Sequence, residues 1–296
     1  MPELPEVETV VRGLRPHVTG RTITAAEISG RALRLPWPER FVQRLQGQKI
    51  LRVERRAKFI LMPLSGGETL ISHLGMSGRY TVFPPRAARP EGLGEFYFQP
   101  AAERKPGVHD HLRLRLDDGT EIVYTDPRRF GLFDLTRSEA AFSHPMLAGL
   151  GPEPLDARLF TPEYLAGVLA QRQAPIKSVL LDQSVVAGIG NIYACEALHL
   201  AGISPRRAAR SLAPSGRPGK RVRRLVAAIR EVLRAAIEAG GSTLKDHARV
   251  SGEAGDFQQQ FAVYGRAGAP CWRCGAPVRQ IVQGGRSTYY CGRCQR

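Results

Sequence analysis

Four of the five cysteines fall in the last 26 residues as two C-x-x-C pairs, Cys271-x2-Cys274 and Cys291-x2-Cys294, with 16 residues between the pairs. Each pair can present two thiolates from one tight knuckle, and two knuckles close a tetrahedron around a metal ion. The spacing predicts one structural Zn2+. No histidine enters the set and no coordination position is left open for chemistry, so the metal ties together a hairpin too small to bury a core of its own. Thiols used this way belong to a reducing compartment.

Charge adds a second constraint. The 296 residues carry 43 Lys plus Arg against 27 Asp plus Glu, a net charge of +16. Residues 206–296 alone hold 18 basic and 5 acidic side chains, and Arg266, Arg273, Arg279, Arg286 and Arg293 decorate the cysteine module. A clustered positive surface fits a polyanion, nucleic acid above all, because released counterions drive binding to phosphate; a solvated Arg-rich face is the plainer reading. Only six of the basic residues are Lys. That makes Lys58 and Lys177 worth locating, since Lys can titrate where Arg does not.

The chain is long enough for one large domain or two ordinary ones, and its 43% hydrophobic residues suffice for a core. No run approaches the ~18 apolar residues of a membrane span, and no secretory signal opens the chain. The expectation is a cytoplasmic protein with no membrane partner.

Leu4, Val7, Val11 and Leu14 stand at helical spacing, with Pro5 tolerable in a first turn. Val53–Leu64, Thr69–Leu74, Arg79–Phe83, Leu112–Leu116 and Glu121–Thr125 read as strands of an antiparallel sandwich, bounded by Gly75-Met76-Ser77-Gly78, Asp118-Gly119 and Asp126-Pro127. Residues 84–107, rich in Pro and Gly, read as a long loop. Past Gly149-Leu150-Gly151-Pro152 the periodicity turns helical: 161–171, 176–181, 192–201 capped by Asn191, and 221–239, whose apolar stripe runs from Val222 to Ile237. The fold class is therefore α+β. An N-terminal β-sandwich domain with its own N-terminal helix spans 2–150, a helical domain spans 151–262, and the zinc hairpin spans 263–296.

The opening Pro2-Glu3 carries chemistry if Met1 is removed, because the new terminus is a secondary amine of pKa roughly 8. Such an amine can attack an aldehyde-level carbon and form an iminium. Glu3 could shuttle a proton and Glu6, one turn on, could position water, although acidic residues in a first turn also serve simply as dipole complements. Gly188-Ile189-Gly190-Asn191 offers backbone N–H groups to a phosphate, or is a plain turn between helices.

Taken together, Pro2-Glu3-Leu4-Pro5-Glu6-Val7-Glu8-Thr9, Arg56-Ala57-Lys58-Phe59, His73-Leu74-Gly75-Met76-Ser77-Gly78, His109-Asp110-His111, Thr125-Asp126-Pro127-Arg128-Arg129-Phe130-Gly131, Gly188-Ile189-Gly190-Asn191-Ile192-Tyr193-Ala194, Tyr264-Gly265-Arg266 and the four cysteines resemble the bacterial formamidopyrimidine-DNA glycosylases. The motifs occur in that family's order and span nearly the whole chain. The resemblance implies a bifunctional base-excision repair enzyme, a DNA glycosylase and abasic-site lyase. Its partner is duplex DNA containing 8-oxoguanine, formamidopyrimidines or abasic sites, engaged by a single copy of the chain.

By the same resemblance Pro2 is the nucleophile and Schiff-base residue, Glu3 the general acid and base, and Glu6 a support. Lys58 is the proton donor for β-elimination and Arg266 that for δ-elimination, an Arg being better suited to clamp phosphate than to give up a proton. Met76, Arg128 and Phe130 match the residues that fill the hole left by the flipped nucleotide, and the helical half would contain a helix–two-turn–helix element. His109, Lys177 and Asn191 match DNA-binding positions. The chain departs from the pattern in its long 84–107 loop, in an acidic Asp256 within the 250–260 base-recognition segment, and in Gln173 where some members have Lys. Two rivals are an endonuclease VIII-like glycosylase for oxidised pyrimidines, which has different hole-filling residues, and a non-catalytic zinc-hairpin DNA binder, which has no use for Pro2, Glu3 or Lys58.

Overall fold

A computed structural model describes residues 1–85, 107–242 and 260–296. Most of the 84–107 loop and nearly all of the 250–260 segment, Asp256 included, lie outside the described residues. The chain divides into two compact units: residues 1–148 with 239–242, and 149–238 with 260–296.

In the first unit, helix α1 (Leu4–Val18) buries Leu4, Val7, Val11 and Leu14 as their spacing predicts, with Val10 and Val18 beside them. After β1 (Ile23–Ile28) and the short α2 (Phe41–Leu45) come β2 (Glu54–Arg56), β3 (Phe59–Pro63), β4 (Glu68–His73), β5 (Arg79–Phe83), β6 (Asp110–Leu116), β7 (Glu121–Thr125) and β8 (Leu132–Arg137). They form two antiparallel four-stranded sheets, ordered β1-β6-β7-β5 and β2-β3-β4-β8. One apolar core takes Ile23, Val82, Leu114 and Tyr124 from the first sheet, Ile60, Leu70 and Phe133 from the second, and Val7, Val11 and Leu14 from α1. This is the predicted sandwich with its helix.

Two elements correct the sequence reading. Val53–Leu64 is not one strand but a hairpin, β2 paired with β3, that turns at Ala57-Lys58. Ala57 adopts φ 53, a left-handed conformation that a residue with a Cβ enters only under constraint. Arg55 supplies part of that constraint, donating to the Ala57 carbonyl (3.0 Å) and, through Nε, to the Glu8 carboxylate on α1 (3.0 Å). Strand β1 precedes the region that reads as strand, because Thr24, Ala25 and Glu27 dilute its alternation.

The second unit holds α4 (Pro162–Ala170), α5 (Ile176–Leu181), α6 (Asn191–Ala201) and α7 (Lys220–Glu238), preceded in the chain by the one-turn α3 (Pro145–Ala148) of the first unit. Every residue of the stripe Val222, Leu225, Val226, Ile229, Val232, Leu233, Ala236 and Ile237 on α7 is buried. The turn between α5 and α6 is spanned by Gln183, whose amide nitrogen donates to the Ile189 carbonyl (2.8 Å) and whose oxygen accepts the Gly188 N–H (2.9 Å). Strands β9 (Val278–Gln283) and β10 (Arg286–Cys291) form the terminal hairpin. Among the described residues no helix is long and apolar enough to cross a membrane.

Candidate active site

The N-terminus is buried where the sequence places its chemistry. Pro2, Glu3 and Glu6 are all buried, whereas Met1 is 42% exposed. Glu3 occupies the N-cap of α1, and its backbone N–H donates to Glu6 Oε2 (2.9 Å). Glu6 Oε1 accepts from the backbone N–H of Ser242 (2.8 Å) and from its hydroxyl (2.9 Å). The Glu6 carboxylate thus ties the first residues of the chain to the turn that follows α7. Gly241 has φ +82, and a Cβ there would come within 3.2 Å of Glu6 Oε1. Nothing in the sequence around Gly241 and Ser242 marks this role.

The Met1 amine, next to Pro2, has its pKa lowered by burial first; Glu3 and Glu6 raise it, and Lys58 and Arg128 lower it further. One amine therefore feels four of the predicted site residues. Lys58, 6% exposed, sits on the β2–β3 turn that Ala57 and Arg55 set. His73, at the end of β4, has its pKa lowered to about 4 by burial and by the Lys58 and Arg34 charges. Its Nδ1 accepts the Gly75 N–H (3.0 Å), and its ring packs against Phe59, 4.9 Å between centroids.

Asp126 joins two loops. Its fully buried carboxylate accepts from Ser77 Oγ (2.5 Å) in one loop and from the Gly131 N–H (2.8 Å) in the other. Ser77 Oγ in turn accepts the Arg128 N–H (3.2 Å). A Cβ on Gly75 would collide with the Phe130 backbone, and one on Gly131 with the Tyr124 hydroxyl. These close approaches are what glycine permits at both places. Met76, Arg128 and Phe130 consequently rise from one knot; the Arg128 guanidinium lies 4.8 Å from the Phe130 ring centre, and Phe130 is 45% exposed. His109 is exposed, and its carbonyl accepts the Asp126 N–H (2.9 Å). Asp126→Ala should cost about 3 kcal/mol of stability in urea unfolding, because it strands a buried hydroxyl and a buried N–H.

In the second unit the structure places two predicted DNA-binding side chains inward. Lys177 is fully buried, its Nζ donating to Thr288 Oγ1 (2.6 Å) on β10. Asn191 does not cap α6; Gly190 does, and the Asn191 amide donates instead to the Ser287 carbonyl (2.9 Å). Both therefore brace the hairpin from the helical layer. Arg266 is half-buried, donating to the carbonyls of Ala262 (2.6 Å) and Pro270 (3.0 Å), with its guanidinium 4.1 Å from the Trp272 ring centre. Glu196 on α6 secures the preceding backbone, its carboxylate accepting the N–H groups of Ala262 (2.9 Å), Val263 (3.0 Å) and Tyr264 (2.8 Å). No motif marked it in the sequence.

Residues 1–133 match the formamidopyrimidine-DNA glycosylase N-terminal domain, 150–248 the formamidopyrimidine-DNA glycosylase H2TH domain, and 268–296 the zinc finger found in FPG and IleRS. The chain belongs to the formamidopyrimidine-DNA glycosylase family. It is 52% identical to the formamidopyrimidine-DNA glycosylase of Azorhizobium caulinodans and 51% identical to that of Ruegeria pomeroyi, each comparison covering 100% of both chains. Among solved structures of the family, the MutM (FPG) protein of Thermus thermophilus is 40% identical with a TM-score of 0.81, over 99% of this chain and 98% of that one. A MutM complex with DNA containing carbocyclic 8-oxo-G is 33% identical with a TM-score of 0.83, over 100% of both. A Lactococcus lactis FPG mutant in complex with Fapy-dG-containing DNA is 32% identical with a TM-score of 0.84, again over 100% of both.

The formamidopyrimidine-DNA glycosylase zinc finger calls for one metal, and the four thiols fit it. The Sγ atoms of Cys271, Cys274, Cys291 and Cys294 all lie within 4.8 Å of one another. Zn–S bonds of about 2.3 Å in a tetrahedron put sulfurs about 3.8 Å apart. Cys271–Cys294 at 3.9 Å and Cys274–Cys291 at 3.5 Å bracket that edge. One structural Zn2+ is the cofactor of this fold, cross-linking the two knuckles and leaving no position open.

Proposed function

We propose that the chain excises oxidised purines, 8-oxoguanine and formamidopyrimidines, from duplex DNA and then cuts the strand at the resulting abasic site by β,δ-elimination. The observation that carries this reading is the buried Pro2-Glu3 terminus, where the amine of the preceding Met1 already feels Glu3, Glu6, Lys58 and Arg128. Relatives at about a third identity are solved with Fapy-dG, abasic-site and 8-oxo-G DNA, which supports the same substrate class.

Once Met1 is removed, the Pro2 nitrogen attacks C1′ of the damaged nucleotide. Glu3 serves as acid and base for both departures: the C1′–O4′ bond breaks with a proton delivered to O4′, the C1′–N bond breaks as the base leaves protonated, and the Pro2 nitrogen gives up its own proton, leaving the iminium. Lys58 then serves the β-elimination. Arg266 steadies the departing phosphate of the δ step as an electrostatic clamp. Glu6, with its carboxylate occupied by Glu3 and Ser242, holds the nucleophile's backbone in place.

Extruding a nucleotide costs ~a few kcal/mol of stacking and pairing. Phe130, a large apolar ring that the fold leaves half in water, and Arg128 stacked against it are suited to enter the vacated space, with Met76 from the neighbouring loop. Arg128 can donate to the acceptors of the orphaned cytosine. His109 contributes to DNA binding from the exposed loop beside Asp126, while Lys177 and Asn191 contribute from the helix–two-turn–helix element by fixing the hairpin that carries the Arg residues. The working parts are residues 2–150, 151–262 and 263–296. The chain acts as a monomer in the bacterial cytoplasm, on the nucleoid.

Borohydride reduction tests the reading directly. The processed protein should become covalently linked to a duplex containing 8-oxoguanine opposite cytosine, and should cut it. A protein that binds this duplex but neither traps nor cleaves it is not this enzyme, and preferential excision of thymine glycol would point to oxidised pyrimidines instead.

A further inference from the structure

The zinc finger leans on α6, and the sequence of that helix contains a group suited to the metal's thiolates. Cys195 and His199 stand one turn apart on its hairpin-facing side. Cys195 is fully buried in a cluster with Cys271, Val278 and Cys291. His199 is 3% exposed, and its Nε2 lies 3.5 Å from Cys271 Sγ.

Both knuckles are anchored at the same end of the helix. Arg273, inside the first cysteine pair, donates to the carbonyls of His199 (3.0 Å) and Leu200 (3.1 Å). On the other knuckle the Cys291 N–H donates to Gln295 Oε1 (2.8 Å), and Gln295 Nε2 donates to the Ile203 carbonyl (2.9 Å). The imidazole is therefore held against the sulfur from two sides rather than resting there by chance.

The direction of the hydrogen bond follows from the chemistry. A zinc-bound cysteine is a thiolate and has no proton to give, so the hydrogen lies on Nε2. The sulfur needs such a donor. Cys271 is 2% exposed, out of reach of solvent donors, whereas Cys291 Sγ accepts the backbone N–H of Cys294 (3.4 Å). A buried anion left without a hydrogen-bond donor is destabilised.

We propose that His199 is a positioning residue of the zinc centre: its Nε2–H donates to the Cys271 thiolate, fixing the direction of that sulfur and drawing negative charge away from it. A less basic thiolate is protonated more slowly, and protonation of a ligand is how such a site starts to release its metal. Partners of this kind commonly change metal affinity 10–100-fold. The inference concerns metal retention and does not depend on the glycosylase reading.

The test uses the full-length zinc-loaded protein and the rate of zinc transfer to a colorimetric chelator. His199→Phe keeps bulk and removes the donor, His199→Ala removes both, and His199→Gln returns an N–H at nearly the reach of Nε2. Release should be about 10-fold faster in the Phe and Ala variants and close to wild type in the Gln variant. In Co2+-substituted protein, the thiolate-to-metal charge-transfer band should move to longer wavelength in the first two and not in the third, because an undonated thiolate is easier to oxidise. If the Phe variant does not fold, the Ala variant reads the same two quantities. Wild-type release with an unmoved band in a folded donor-less variant overturns the proposal, as does a Gln variant that releases zinc as fast as the others.

Discussion

Glu3→Gln should bind an 8-oxoguanine duplex within a few-fold of wild type and lose base excision by at least about a thousandfold, since removal of a group essential to covalent catalysis costs that much or more. Gln can still occupy the N-cap of α1 and leave the Glu3 backbone N–H bonded to Glu6. What disappears is a titratable oxygen beside the amine. Pro2→Gly should produce the same separation by another route. Its primary amine forms an imine that is cationic only when protonated, whereas the secondary amine of Pro forms an iminium that is cationic at any pH; and Gly frees the backbone that the pyrrolidine ring holds. Gel-based excision assays beside fluorescence anisotropy distinguish the two effects. Excision persisting in Glu3→Gln would remove Glu3 from the mechanism.

The wild-type pH profile should share this origin. Burial lowers the pKa of the Met1 amine, and the Pro2 amine exposed by its removal, at the same buried end of the chain, should shift the same way, so single-turnover excision should climb with pH and level off below the ordinary amine pKa. The sign is that of a base needed in its neutral form: activity is lost as pH falls through the lowered value.

The second large effect is on binding. Stripping zinc, or making Cys291→Ser, should weaken DNA affinity at least about a hundredfold and flatten its dependence on salt. In isolated zinc-finger peptides the metal is worth about 10–16 kcal/mol of folding free energy, and each lost phosphate contact takes about one unit from the salt slope. The damage should reach beyond the hairpin, because Lys177 and Asn191 of the helical layer find their partners on Thr288 and Ser287 of β10. Anisotropy titrations at two salt concentrations, with released zinc measured in parallel, check this. Unchanged affinity after complete zinc release would sink it.

Much of this was legible in the sequence wherever one local rule sufficed. Cysteine spacing alone foretold the metal site, and the apolar stripe from Val222 to Ile237 foretold α7. The rest depends on partners distant in the chain. Nothing near Lys177 says that its ammonium will meet residue 288, and nothing near Asn191 says that a carbonyl 96 residues away will take its amide in place of a helix cap. The same holds for Glu6, whose chemistry as a free carboxylate looks open until Ser242 arrives 236 residues later. The turn at Ala57 hid for a different reason: no glycine marks it, because Arg55 and the surrounding sheet impose a conformation that the residue's own preference resists.

The Asp126 knot bears on how the two loops can move. Ser77 from one loop and Gly131 from the other share its carboxylate, and the glycines that allow the close approach are divided between the two loops. Met76 on one side and Arg128 with Phe130 on the other are thus carried by a single part. A change at Asp126, Ser77, Gly75 or Gly131 is therefore felt by both loops. Two loops far apart in the chain are thereby positioned by one carboxylate, and a shift of either carries the other with it.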